Sequence, residues 1–297
     1  MKIGKFLLSA VLVIGSTVGL AAPVQAGTPT SFVVGGDRPV TVYLPAKIVS
    51  PSPLLISLHG YTSSGAQQEA YVKMKSEASK RGVIYLLPDG SSDASGNRFW
   101  NAGNSCCNFF SSTVDDEKYL TGLIDQVAKK YPVDRKRIYV IGHSNGGFMA
   151  YKLACDQAST FAAIVSFAGS LPVDRSTCPA KHPTSILHIH GTNDTTILPT
   201  GGDLVPGHTS PYASVQSNLT FWAKVDRCKP IAGLPKVFGK MDLESSIAGP
   251  ETSIYKFSCP AHFNLQYWSI AGGEHVPQLS PTFAARIFDF LLAQSKA

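Results

Sequence analysis

Residues 142–146 read Gly-His-Ser-Asn-Gly, which places one hydroxyl between two glycines. Residues 137–141 before them are mostly apolar and predict a buried strand, and residues 146–155 predict a helix. A Gly-x-Ser-x-Gly pattern between a strand and a helix is typical of a nucleophile elbow, because side chains at the glycine positions would collide with neighbouring backbone. We therefore predict that Ser144 is a catalytic nucleophile held above the end of a sheet.

A serine hydroxyl needs a general base near neutral pH, and that base needs an acid to orient it. In proteins with this elbow, the three residues follow in the order serine, acid, histidine. Asp194 comes just after the predicted strand 185–189, and His275 comes just after the predicted strand 265–270. We predict that Asp194 is the orienting acid and His275 the base, and Asp203 remains open as an alternative acid.

The attack of a serine on a carbonyl also requires N–H donors for the oxygen that becomes negative. The N–H of Asn145 directly follows the nucleophile and supplies one donor. The predicted strand 54–58 ends in His-Gly-Tyr-Thr, so the N–H of Tyr61 or of Thr62 supplies the second. The sequence therefore predicts an oxyanion hole made by Asn145 and, in first place, Tyr61.

The long loop 88–112 follows a further predicted strand and is rich in aromatic residues. Loops at the carboxyl ends of parallel strands line the sites of such folds. We expect Phe99, Trp100 and Phe109 to bind substrate as one apolar wall of an open cleft, which suits acyl groups on a polymer. The alternative is that these rings form satellite core under the loop.

His188 and His190 alternate along one predicted strand, and a His-x-His pair can bind a metal. The sequence suggests no third ligand, so we predict that both histidines are buried and structural. No metal site is therefore expected. Catalysis by a serine, a histidine and an aspartate also requires no cofactor.

Apolar strands alternate with helical patterns along most of the chain, which predicts an α/β fold with a mostly parallel central sheet flanked by helices on both faces. The predicted strands are residues 40–44, 54–58, 83–87, 137–141, 162–167, 185–189 and 265–270. The predicted helices are residues 66–81, 115–131, 146–155, 212–225 and 281–293. No repeat or linker interrupts this pattern, so we expect residues 27–297 to form a single catalytic domain.

Residues 1–26 differ from the rest of the chain. Two lysines precede an apolar run, and Val24-Gln25-Ala26 offers a small-residue cleavage site, which together predict a signal peptide and not a stable membrane anchor. The protein is then secreted, to the periplasm or the medium. Without this segment, 24 basic and 20 acidic residues leave a mild positive charge with no basic cluster, which argues against nucleic acid as a partner.

The chain has six cysteines, which in an exported protein are expected to form disulfides. We expect Cys228 to pair with Cys259, since they are near each other in the chain. The other four are expected to form two bridges that tie Cys106 and Cys107 to Cys155 and Cys178. A bridge between the adjacent Cys106 and Cys107 is the alternative.

The chain contains six motifs spread over most of its length: LHGYTSSG, WNAGNSCC, VDDEKYL, GHSNGGFMAYKLAC, LHIHGTND and GGEH. Together they resemble those of the secreted α/β-hydrolases that include polyhydroxybutyrate depolymerases, feruloyl esterases and acetylxylan esterases. This resemblance implies the same triad of Ser144, Asp194 and His275. In this family a tryptophan often follows the catalytic histidine and a glycine often follows the double cysteine, whereas this chain has Val276 and Asn108 there. The resemblance therefore does not imply one substrate.

These observations predict a secreted serine carboxylic-ester hydrolase that works through an acyl-enzyme. We expect an ester substrate, in first place a polyester such as polyhydroxybutyrate or a polymer-linked acyl group. The alternatives are a feruloyl or acetylxylan esterase acting on plant polysaccharide, and a serine peptidase using the same triad. The sequence indicates neither the natural acyl group nor the oligomeric state.

Overall fold

A computed structural model describes residues 31–47, 49–204 and 210–296. The predicted signal peptide, residues 1–26, lies outside the described residues. The strands are β1 Ser31–Val34, β2 Val40–Tyr43, β3 Ser52–Leu58, β4 Ile84–Leu86, β5 Ser91–Ser92, β6 Arg98–Phe99, β7 Val133–His143, β8 Ala163–Phe167, β9 Ser185–Gly191, β10 Val237–Met241, β11 Thr252–Lys256 and β12 Leu265–Ile270. The α-helices are α1 Gly65–Val72, α2 Lys75–Lys80, α3 Asp116–Ala128, α4 Asn145–Asp156, α5 Val215–Val225 and α6 Phe283–Leu292.

Ten of the strands form one sheet in the order β1-β2-β4-β3-β7-β8-β9-β12-β11-β10. The six central strands, from β4 to β12, pair in parallel, and the two strands at each edge pair antiparallel. The small hairpin of β5 and β6 stands apart from this sheet. Because the central strands are parallel, their carboxyl ends lie along one edge, where the loops that carry functional side chains meet.

Helices cover both faces of the sheet, as the sequence predicts. One apolar cluster packs α3, α4 and α5 against the sheet, and a second packs α1, α2 and α6 against the other face. The central strands β3, β8 and β9 are buried along their whole length. Strands buried on both sides read as continuous apolar runs, which is why these three were predictable.

The predicted elements differ from the structure in four main places, one of which is the hairpin of β5 and β6 within residues 88–112, predicted as a loop. Residues 66–81 form two helices and not one, because Lys73 takes a left-handed conformation (φ 50°) and ends α1. The edge strands β1, β10 and β11 were not predicted, since they are short and partly exposed and have no long apolar run. The helix predicted from residue 212 begins at Val215, after the cap Ser214, whose side chain accepts a hydrogen bond from the Ser217 N–H.

Three disulfides join the six cysteines: Cys106–Cys107, Cys155–Cys178 and Cys228–Cys259. The predicted Cys228–Cys259 bridge is confirmed. The two bridges predicted between the Cys106–Cys107 pair and Cys155 or Cys178 are wrong, for a geometric reason. The Cys106 sulfur lies 3.7 Å from the amide nitrogen of Asn145, at the start of α4. Cys155 lies ten residues further along α4, about 15 Å away at the rise of an α-helix.

None of the helices within the described ranges is long and apolar enough to cross a membrane.

Candidate active site

Ser144 lies in a sharp turn between β7 and α4, at the carboxyl edge of the sheet. Its backbone has φ 55° and ψ −121°, a left-handed conformation that few residues other than glycine adopt. Both flanking glycines are required by close backbone contacts. A Cβ on Gly142 would lie 2.0 Å from the Gly146 oxygen, and a Cβ on Gly146 would lie 2.4 Å from the Leu58 oxygen. The local backbone therefore holds the Ser144 hydroxyl above the sheet, as the elbow pattern predicts.

The structure brings Ser144, His275 and Asp194 together, although they lie on three separate loops. The Ser144 Oγ is 3.0 Å from His275 Nε2, and His275 Nδ1 is 2.8 Å from Asp194 Oδ2. Both distances are those of hydrogen bonds, so the predicted nucleophile, base and acid are in contact in the order that such a triad requires.

The Asp194 carboxylate is buried and fully hydrogen-bonded. Its Oδ1 accepts from the backbone N–H groups of Thr196 and Ile197, at 2.9 and 2.8 Å, and its Oδ2 accepts from His275. Burial by itself raises the pKa of Asp194, but hydrogen bonds from His190, His275 and the Ile197 N–H outweigh it and hold the pKa well below the usual value. Asp194 is therefore a charged acceptor at neutral pH.

Asp203, the alternative acid, has an exposed side chain. The carboxylate bonded to His275 belongs to Asp194. The geometry thus favours Asp194 over Asp203 as the orienting acid.

Behind Asp194, a line of buried hydrogen bonds continues into the core. His190 Nε2 lies 3.2 Å from Asp194 Oδ2 and 2.8 Å from the Ile197 oxygen, and both atoms can only accept. His190 therefore donates at Nε2. Its Nδ1 lies 3.1 Å from His188 Nε2, and His188 Nδ1 lies 2.8 Å from the Tyr151 hydroxyl. Each ring nitrogen of the two histidines has a protein partner, as expected for structural histidines.

Two backbone N–H groups next to Ser144 are available for a negative oxygen. The Asn145 N–H is the first of α4, and the first N–H groups of a helix have no acceptor within the helix. The Tyr61 N–H donates to no acceptor in the described part of the chain. The Thr62 N–H, in contrast, donates to the Arg98 oxygen at 2.9 Å. The geometry therefore favours Tyr61 over Thr62 as the second donor.

His143 is a site residue that the sequence did not reveal, since it occupies the variable position of the elbow. Its ring is buried against Tyr71 and Phe167, and its Nε2 lies 2.8 Å from the backbone oxygen of His275. Burial, together with a smaller effect of the nearby His275, lowers the pKa of His143 to about 4. His143 is therefore neutral at neutral pH and donates its N–H to the backbone of the residue predicted to be the base.

The prediction that Phe99 and Trp100 line a substrate wall is not met, because both side chains are fully buried. Trp100 Nε1 donates to the His59 oxygen at 3.0 Å. The Asn145 side chain holds the Trp100 backbone through two further bonds, at 2.7 and 3.0 Å. Both aromatic residues belong to the core, and Trp100 supports the elbow through its hydrogen bonds to Asn145. Phe109 is partly exposed and packs edge-on against the Tyr61 ring at 5.3 Å.

A cavity of about 240 Å³ opens beside the triad. Ser144, His275, Gly60 and Tyr61 line one part of it, so it contains the hydroxyl and one of the N–H donors described above. Its volume is enough for a small part of a ligand next to the hydroxyl, and it is not closed by a lid in the described residues.

A family model described as phospholipase/carboxylesterase matches residues 43–202, which is more than half of the chain. The chain belongs to the phospholipase/carboxylesterase family. The matched residues include Ser144 and Asp194 and end before His275.

Proteins with similar sequences include the three kinds of enzyme that the motifs resemble. The chain is 30% identical over 229 residues to feruloyl esterase B of Piromyces equi, covering 75% of this chain and 39% of that protein. It is 31% identical over 160 residues to the bifunctional acetylxylan esterase/xylanase XynS20E of Neocallimastix patriciarum, covering 54% and 22%. It is 25% identical over 201 residues to poly(3-hydroxyalkanoate) depolymerase C of Paucimonas lemoignei, covering 63% and 43%. The chain thus spans less than half the length of each relative.

Solved structures confirm the α/β-hydrolase fold. An acetyl xylan esterase from Aspergillus awamori matches with a TM-score of 0.64 and 16% identity, over 89% of this chain and all of that chain. An S-formylglutathione hydrolase from Agrobacterium tumefaciens matches with a TM-score of 0.52 and 16% identity, over 91% and 96%. At these identities the likeness concerns the fold alone.

Proposed function

We propose that this protein is a serine hydrolase of carboxylic esters and that Ser144, His275 and Asp194 are its catalytic triad. The observation that carries the proposal is the unbroken line of hydrogen bonds from the Ser144 hydroxyl through the His275 ring to the Asp194 carboxylate, at 3.0 and 2.8 Å. Two N–H groups beside that hydroxyl, of Asn145 and Tyr61, supply the oxyanion hole. Relatives named as esterases support the same chemistry.

The reaction follows from the geometry. His275 Nε2 removes the proton of the Ser144 hydroxyl as the oxygen attacks the ester carbonyl, and the Asn145 and Tyr61 N–H groups stabilise the negative oxygen. His275, now charged and held by Asp194, protonates the leaving alcohol, and an acyl-enzyme remains. Water then attacks the acyl group with His275 as base, which releases the acid and restores the hydroxyl. Every step uses side chains and backbone of this chain.

The proposed substrate is in first place a polyester such as polyhydroxybutyrate, or another polymer-linked acyl group. The uncovered cavity supports a substrate that extends beyond the reacting carbon, and a depolymerase of a poly(3-hydroxyalkanoate) is among the relatives. The second candidate is a feruloyl or acetylated polysaccharide ester, supported by the names of the two relatives that are 30% and 31% identical.

Export to an oxidising compartment, either the periplasm or the medium, is part of the proposal. It is supported by the three disulfides among the described residues, since such bonds persist where thiols are not kept reduced.

Two measurements on the purified protein test the proposal. The first is the rate on p-nitrophenyl acetate compared with a matched p-nitroanilide of a peptide, where we expect fast ester and negligible amide hydrolysis. The second is a screen on polyhydroxybutyrate, methyl ferulate and acetylated xylan. Comparable or faster amide hydrolysis would identify a peptidase instead, and no hydrolysis of any ester would refute the proposal.

A further inference from the structure

One polar side chain in the cavity beside Ser144 has no hydrogen-bond partner. Gln68 lies on the inward face of α1 and is only 3% exposed, and it lines the same cavity as Ser144 and His275. Its Nε2 is buried and has no hydrogen-bond partner. A buried N–H donor without a partner costs about 1–3 kcal/mol, so such a group is unusual in a folded core.

Most of the other polar side chains around this cavity are already hydrogen-bonded, and Ser63, which also lines it, is partly exposed. The Tyr71 hydroxyl donates to the Pro277 oxygen at 3.1 Å, and the Tyr61 hydroxyl donates to Asp93 at 2.5 Å. The His143 ring is bonded to the backbone of His275. Gln68 therefore stands out among these groups as a buried side chain whose donor remains available to a ligand.

We propose that the Gln68 amide binds an oxygen substituent of the substrate close to the scissile ester, so that the enzyme prefers esters carrying a hydroxyl or a second carbonyl near the reacting carbon. This inference rests on the proposed function, because it places the substrate in the cavity next to Ser144. An amide can donate to a carbonyl or hydroxyl oxygen and accept from a hydroxyl, so both substituents fit its chemistry.

Two kinds of ester carry such an oxygen. In a polyester of hydroxy acids it lies on the acyl side, as the 3-hydroxyl or the next ester group. In a sugar ester it lies on the alcohol side, as a neighbouring hydroxyl. A simple alkyl ester has neither, and it would leave the Gln68 amide unpaired in the complex.

The test compares esters that differ by a single hydroxyl. On the acyl side the pair is p-nitrophenyl butyrate and p-nitrophenyl 3-hydroxybutyrate, and on the alcohol side it is ethyl butyrate and 2-hydroxyethyl butyrate. The variant is Gln68→Leu, which has a similar size and no hydrogen-bonding atom. We expect it to lower kcat/KM for the hydroxylated member of one pair by about fivefold or more, which is the effect of losing one buried hydrogen bond. The kcat/KM for the ester without the hydroxyl should change less than twofold.

A matched control is available one residue away. Gln67 is on the same helix but is exposed, so Gln67→Leu makes the same chemical change outside the cavity and should leave both ratios unchanged. The melting temperature of Gln68→Leu should equal or exceed that of the wild type, because the substitution removes a buried N–H donor without a partner. Gln68→Met serves as a second variant of similar length if the leucine variant does not fold.

The pair that responds identifies the side of the ester that Gln68 contacts. If esters are hydrolysed but Gln68→Leu and Gln68→Met change neither ratio, the inference is wrong while the proposed function stands. If the wild type hydrolyses no ester, the proposed function itself fails.

Discussion

Replacing Asp194 by asparagine tests the orienting role of its carboxylate, because the two carboxylate oxygens have different hydrogen-bond partners. Oδ1 accepts from the two backbone N–H groups of Thr196 and Ile197, and Oδ2 accepts from His275 Nδ1. In Asp194→Asn the amide keeps its oxygen on the two backbone donors, because the opposite orientation would leave two buried N–H groups unpaired at about 1–3 kcal/mol each. The NH₂ group of the amide then faces His275.

This orientation changes the state of the base. His275 Nδ1 must now accept a hydrogen bond, so the ring proton moves to Nε2, which points at the Ser144 hydroxyl. A nitrogen that already carries a proton cannot remove one from serine. We therefore expect kcat to fall about 10⁴-fold, which corresponds to about 5 kcal/mol of lost transition-state stabilisation.

The assay is the rate of p-nitrophenyl acetate hydrolysis at pH 7 to 8, with near-ultraviolet circular dichroism to check the fold. Asp203→Asn is the matched control, since it makes the same change at the alternative acid and should keep activity within about twofold. An active Asp194→Asn enzyme together with an inactive Asp203→Asn enzyme would transfer the orienting role to Asp203. Two active variants would refute the argument from the tautomer of His275.

Three further outcomes are expected. Ser144→Ala should lose at least about 10⁴-fold in kcat and all labelling by a phosphonate ester, seen by mass spectrometry, with an unchanged melting temperature; retained labelling would place the nucleophile elsewhere. Trp100→Ala should lower the free energy of unfolding by about 3–5 kcal/mol in urea titration, because its ring is fully buried, and an unchanged value would contradict its assignment to the core. Burial raises the pKa of Asp226 to about 7, above its value in the unfolded chain. The contribution of Asp226 to the free energy of unfolding should therefore be greatest below pH 4 and decline by up to about 4 kcal/mol as the pH rises to 7. Asp226→Asn should therefore melt at a higher temperature than the wild type at pH 8 but not at pH 4. The same difference in melting temperature at both pH values would contradict this prediction.

The geometry of the triad could be anticipated from the sequence because each residue has a local signal. Ser144 lies in a glycine-flanked turn, and Asp194 and His275 each follow a buried strand whose apolar run is visible in the sequence. Parallel strands place their carboxyl ends at one edge, so three local signals are enough to bring three side chains together. Their catalytic roles stay a prediction until the variants are measured.

The contacts around the triad could not be anticipated, because they join residues far apart in the chain. Trp100 reads as an aromatic residue in a loop, and its burial depends on the amide of Asn145 and the backbone of His59, more than 40 residues away in sequence. The partner of Cys155 depends on which loop lies at which end of α4. His143 contacts the backbone oxygen of His275, which lies 132 residues later in the chain. None of these contacts leaves a periodic or compositional trace in the sequence.

The hydrogen bond from His143 to the backbone of His275 has a consequence for turnover. In the proposed mechanism, the bond between the Ser144 hydroxyl and the His275 ring breaks in every cycle as the proton moves, whereas the bond from His143 to the backbone oxygen takes no part in the chemistry. The hydrogen bond from His143 therefore holds the loop that carries His275 in place while the His275 ring exchanges its proton. For protein engineering, position 143 is then poorly suited to random mutagenesis, even though the elbow motif treats it as interchangeable.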